Sequence, residues 1–120
     1  MSAEPIPATD SATDGESLNC EVVPERETVR IRPVGSLDMA TAGVLEARLS
    51  EVLGAGFQRV LLDLSGLDFM DSTGLRLVLR WDAAARADGF TLAVVPGSPT
   101  VQRVFEITGT AGHVPFVERG

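Results

Sequence analysis

A chain of 120 residues, 44% of them hydrophobic, fits one domain with a packed core and needs no disulfide or metal to staple it. Seventeen acidic against ten basic residues give a net charge of -7, which argues against nucleic acid or an anionic membrane as partner and favours a protein with a basic patch. All ten basic residues are arginine, so any chemistry that needs a catalytic, phosphate-binding or Schiff-base lysine is excluded.

Residues 1–17, MSAEPIPATDSATDGES, hold prolines, small polar residues and four acids with no base. That composition predicts a flexible acidic tail, leaving residues 18–120 as the domain. From Leu18 the pattern alternates: LNCEVV and TVRIRPV read as half-buried strands, with a turn over Pro24 to Glu27, and together predict an antiparallel hairpin. GSLDMATAGVLEARLSEVLGAG places Leu45, Leu49, Val52 and Leu53 at helical spacing. It predicts a helix from about Ala40 to Leu53, with Asp38 or a neighbour capping its start and Gly54 or Gly56 stopping it.

RVLLDLSGLDF then gives a nearly continuous apolar run from Val60 to Leu64, the mark of a central strand covered on both faces. Thr73 to Ala87 predicts a second helix ending near Gly89. FTLAVVP reads as another buried strand, and SPTVQRVFEITG as a third helix, with Ser98 as cap, Pro99 in its first turn, Gly109 after its last, and Val101, Val104 and Phe105 inward. The closing HVPFVERG reads as a short edge strand, since Pro115 has no N–H for a central ladder. The order predicts an α/β fold: a mixed sheet of four to five strands, an N-terminal antiparallel hairpin, right-handed parallel crossovers, and helices packed on the sheet.

No apolar run reaches the roughly 18 residues that span a bilayer, and the N-terminus is acidic where a signal peptide is basic, so a cytoplasmic location is expected. Cys20 and His113 are each the single residue of their kind; structural roles are expected for both, and neither a metal nor another cofactor is. Asp63, closing a buried strand, has the position of a receiver-domain phosphoacceptor. The acidic pair and the lysine that such a site requires are missing, so Asp63 is expected to hydrogen-bond at the strand end.

The stretch FMDSTGLRLVLRW sets Asp71, Ser72, Thr73 and Gly74 between a strand and a helix. An aspartic protease would need two carboxylates sharing a proton; there is one copy of the motif, with an extra residue before the glycine. A serine hydrolase would need His113 as base and a GxSxG elbow around Ser72, and no such elbow is present. The position itself suits a helix cap, because Asp71 and Ser72 oxygens can accept from the first-turn N–H groups. Arg76 and Arg80, four apart on one helical face, could meet acidic groups on a partner or merely offset Asp82 and Asp68. Trp81 could be core or an exposed anchor.

GSLDMATAGVLEARL, LLDLSGLDFMDSTGLRLVL and GFTLAVVPGSPTVQRVFEITG together resemble a STAS domain of the anti-sigma factor antagonist type, in order over about Leu18 to Val117. The resemblance implies a non-enzymatic binding module switched by phosphorylation, with Ser72 as the phosphoacceptor and Thr73 as a secondary candidate. It implies as partners an anti-sigma factor that is a serine kinase with a histidine-kinase-like ATP fold, and a serine phosphatase that resets the switch. Asp38 matches the family's acidic residue near that loop, and Asp38, Asp71, Ser72, Thr73, Gly74 and Arg76 are the expected partner-binding residues. Two alternatives stand beside this: a STAS scaffold not controlled by phosphorylation, and a small hydrolase using Ser72 or Asp71. Many family members carry a further C-terminal helix, whereas this sequence stops at Gly120 after VPFVER; sheet or partner surface that such a helix would cover is expected to be exposed.

Overall fold

The computed structural model describes residues 18–117; the acidic tail expected at 1–17 lies outside them. The elements run β1 (Asn19–Glu25), β2 (Thr28–Leu37), α1 (Ala42–Gly54), β3 (Arg59–Asp63), β4 (Leu67–Met70), α2 (Ser72–Asp88), β5 (Thr91–Val95) and α3 (Pro99–Ile107), with short 3-10 turns at Leu64–Gly66 and Ala111–His113. β1 and β2 form the antiparallel hairpin, turning at Arg26 and Glu27, where Arg26 takes a left-handed φ of 64°. β3 pairs parallel with β2 and with β5, which places it centrally.

Parallel pairing aligns Val29 with Val60 and Leu92, and Ile31 with Leu62 and Val94. Every one of these six side chains is buried. Leu45, Leu49 and Val52 of α1, Leu75, Val78 and Ala85 of α2, and Val101 and Phe105 of α3 join them in one core. The residues between, Arg30, Leu61 and Ala93, alternate onto the opposite face and are half-buried.

Three features differ from the sequence expectation. The predicted strand ends at Leu64 and LDFM has no element of its own, yet Leu67–Met70 is a separate strand paired parallel to the end of β2, with a register shift between Gly35 and Ser36. β2 therefore serves two neighbours in turn: β3 along Thr28 to Ile31, and β4 from Gly35 to Leu37. Pro33, which has no N–H to give, falls in the gap between the two ladders. The C-terminal edge strand reduces to a single parallel bridge between Val94 and Phe116, held by Val94 N–H to the Pro115 carbonyl and Val117 N–H to the Val94 carbonyl. The first helix starts at Ala42, because Asp38 to Thr41 form a hydrogen-bonded turn ahead of it.

Candidate functional site

The 3-10 turn after β3 fixes the approach to β4. Asp63, buried at its start, accepts from Ser65 N–H at 2.9 Å and pairs with Arg30, whose Nε donates at 3.0 Å. Burial acts to raise the Asp63 pKa, but hydrogen bonds from Ser65 and Arg30 and the Arg30 charge outweigh it and hold the carboxyl below its ordinary value. The strand-end hydrogen bond expected of Asp63 is thus present. Gly66 in the same turn lies against β2, where a Cβ would come 2.8 Å from the Pro33 carbonyl oxygen.

β4 then delivers the chain to α2 beside the end of β2. Asp71 N–H donates to the Leu37 carbonyl at 3.2 Å. Its extended backbone lets the carboxylate turn back over the helix, where Oδ1 accepts from Thr73 N–H at 2.8 Å and Gly74 N–H at 3.2 Å. Asp71 is therefore the N-cap of α2 and half-buried, whereas Ser72 is the first helical residue and exposed. Of the two cap candidates in the sequence, the acid is the cap and the serine is exposed. Thr73 is half-buried. Gly74 is buried; a Cβ there would stand 2.6 Å from Met70 Cγ and 2.9 Å from Leu37 Cγ. It acts from beneath the surface, by allowing α2 to seat on the ends of β2 and β4.

Asp38, following Leu37, closes the neighbouring turn. Its carbonyl accepts from Ala42 N–H at 2.8 Å and its Oδ1 from Ala40 N–H at 3.0 Å. Thr41, buried at 4% exposure, receives the Asp38 N–H and donates its hydroxyl to the Ser36 carbonyl at 2.7 Å. The sequence reading gave Thr41 no role; the Asp-x-x-Thr spacing was the available signal, since short polar side chains three apart commonly close a turn on each other's backbone. Parallel pairing of β2 and β4 thus brings the turn at residues 38–41 and the start of α2 to one end of the sheet.

Exposed apolar side chains follow two of the acids in the chain: Met39, after Asp38, is 80% exposed and Phe69, after Asp68, is 45% exposed, while Val44 of α1 is 39% exposed. Apolar side chains exposed beside polar ones suit a protein-binding surface. Asp68 is exposed, whereas Asp71 is half-buried with its carboxylate engaged in the cap.

On α2, Arg76 is exposed and joins no ion pair among the described residues. Arg80 instead reaches Glu46 of α1 at 3.1 Å, and Asp82 pairs with Arg86 at 2.8 Å; of the two roles the sequence leaves open for these arginines, an ion pair with Asp82 is not formed. Trp81 is half-buried, packed edge-on to Phe90 with ring centroids 6.1 Å apart, and its buried indole N–H has no partner among the described residues. The core reading of Trp81 is the one the structure supports.

A hollow of about 220 Å³ beside Leu53, Trp81 and Phe90, and one of about 410 Å³ between Arg26, Phe57 and Arg59, both lie away from Ser72. Among the described residues no three His, Cys, Asp or Glu side chains come together as a metal site. Cys20 is half-buried on β1, and burial pushes its thiol up to about 11, against a smaller lowering from Arg48. Among the described residues no helix is long and apolar enough to cross a membrane.

The sequence matches the family described as "Mlab, STAS domain" over residues 20–118. The chain belongs to the STAS family. Within it, the similarity of this STAS domain is to anti-sigma factor antagonists. It is 38% identical over 86 residues to the anti-sigma F factor antagonist of Lysinibacillus sphaericus, covering 70% of this chain and 73% of that protein. The structure of the anti-sigma factor antagonist SpoIIAA in its unphosphorylated form superposes with a TM-score of 0.68 at 29% identity, over 86% of this chain and 88% of that one. The phosphorylated form of the Bacillus cell fate determinant SpoIIAA gives 0.64 at 28% identity, over 86% and 91%. The sheet with its antiparallel hairpin and three helices is accordingly the STAS fold expected from the sequence.

Proposed function

We propose that this STAS domain is a cytoplasmic anti-sigma factor antagonist that works by partner switching. With Ser72 unmodified it binds an anti-sigma factor that is also a serine kinase of the histidine-kinase-like ATP fold, and so frees a sigma factor. The kinase moves the γ-phosphoryl group of ATP onto Ser72 Oγ; the serine proton passes to a base on the kinase, ADP leaves, and binding ends. A serine phosphatase restores the hydroxyl. The carrying observation is the exposed Ser72 hydroxyl at the first position of α2, on a surface that also presents Met39 and Phe69.

The chemistry of that surface supports a substrate and ligand rather than a catalyst. Among the described residues no side chain is hydrogen-bonded to Ser72 Oγ, and His113 lies in the 3-10 turn beyond α3. A nucleophilic serine needs a base in reach. A pocket shaped for a neutral hydroxyl and an apolar rim would have to desolvate a phosphate carrying about -1.5 to -2 charges, beside the carboxylates of Asp38 and Asp71. Asp38, Asp71, Thr73 and Arg76 complete the proposed contact surface, with Gly74 shaping it from below.

Co-purification from the native cytoplasm of the wild type, Ser72→Ala and Ser72→Asp tests this reading. The kinase is expected on the first two and absent from the third, and incubation of the wild type with that kinase and ATP is expected to place phosphate on Ser72 by peptide mass mapping. Identical partners for all three would overturn the switch.

A further inference from the structure

The helix end that would carry a phosphate is already largely occupied. Asp71 Oδ1 takes the N–H groups of Thr73 and Gly74, and Leu75 N–H donates to the Asp71 carbonyl at 3.1 Å. A phosphate on Ser72 Oγ therefore meets few free backbone donors, and a carboxylate sits next to it. What the surface does offer is a cation one helical turn further on. Arg76 is exposed, belongs to the same helix four residues after Ser72, and joins no ion pair among the described residues.

Side chains on a helix tilt toward its N-terminus, so residue i+4 leans back over residue i, and an acid four positions before a base is the more favourable order. A guanidinium also matches phosphate oxygens with two parallel N–H donors.

We propose that Arg76 is the intramolecular counter-ion of a phosphate on Ser72. The proposal rests on the reading of Ser72 as phosphoacceptor and adds a second consequence to it. In the unmodified protein Arg76, in no ion pair among the described residues, lies near the start of α2 on the proposed partner surface, able to meet an acidic group on the kinase. In the phosphorylated protein the same guanidinium is drawn onto the phosphate. Phosphorylation then both adds charge at Ser72 and withdraws the cation beside it, while the pairing tethers the phosphate along the helix and leaves the backbone in place.

The test installs phosphoserine at position 72 during synthesis, so that no kinase is involved, in the full chain with Arg76, with Arg76→Gln and with Arg76→Lys. The second ionisation of the phosphate is followed by 31P NMR as pH is varied. Asp38, Asp68 and Asp71 act on the phosphate in all three proteins, so the difference between them isolates residue 76. A pairing cation favours the dianion, and the pKa with Arg76 is expected to lie a few tenths of a unit below that of Arg76→Gln, with Arg76→Lys between them. The Arg76 side-chain Nε–H resonance is expected to move on phosphorylation. Equal pKa values for Arg76 and Arg76→Gln, with an unmoved Nε–H, would overturn the counter-ion. A kinase that leaves Ser72 unmodified would overturn the preceding function and leave this titration unaffected.

Discussion

Asp63 shows how much one buried carboxylate can organise. It ends β3, starts the 3-10 turn through Ser65, and ties β3 to β2 through Arg30. Because its folded pKa is held below the unfolded value of about 3.9, its contribution to stability is present above that pH and is lost as pH falls toward the lower folded value. Asp63→Asn is therefore expected to cost about 1–3 kcal/mol at pH 7, with the gap to wild type narrowing below about pH 4, as urea denaturation at pH 7 and pH 3 would measure. A gap that stays constant across that range would mean that the pair contributes nothing through ionisation. Asp71 is the same residue type in a different role: its backbone partner across the strands and its two first-turn N–H groups make it the hinge pin between sheet and helix. That role was legible in DSTG, since a short acid before a helical run is a cap signal. The exposure of Met39 and Phe69 was not, because it depends on which neighbours the fold supplies.

Among the elements, those with chemical punctuation were legible. α2 is bounded by Asp71 and by Gly89 at a left-handed φ of 84°, and α3 by Ser98 and Pro99 at its start. β4 has no such signature. Its exposure runs buried, exposed, exposed, buried over Leu67 to Met70, so the two-residue period of a half-buried strand is absent, and the register shift at Gly35 supplies the pairing that local sequence cannot announce. The closing strand failed for the converse reason: Pro115 and Phe116 look strand-like, but one bridge to Val94 is all that forms. The join between α2 and the two strand ends is the tightest packing near the site. Gly74→Ala would press a Cβ against Met70 and Leu37, and overpacking should exceed the gain of roughly 1 kcal/mol in helix propensity, for a net loss of about 1–2 kcal/mol by denaturant titration. An unchanged or raised midpoint would show that α2 can shift on the sheet at no cost.

At the scale of the whole molecule, two stretches whose paired positions lie 33 residues apart in sequence, 36–41 and 69–74, come to one end of the sheet because β4 runs parallel to the end of β2. The free edge at β1 is broken by Pro24 and carries Glu21 and Glu25, features that discourage strand addition by another copy. This leaves the Ser72 end of the sheet as the surface suited to a partner. α2 spans from that end into the core, and nine positions beyond Ser72, roughly 13 Å along the axis, it buries the indole of Trp81 against Phe90. The chain has one tryptophan and no tyrosine, so its intrinsic emission comes from a single place, half-buried and carried on the same helix as the switch. A change confined to the hydroxyl should leave the wavelength of that emission where it was, whereas a twist or slide of α2 would move the ring relative to Phe90 and shift the spectrum. The protein thus carries its own optical gauge of whether phosphorylation is read at the skin of the molecule or transmitted through its frame, and an emission maximum unchanged between the two forms is the expected reading.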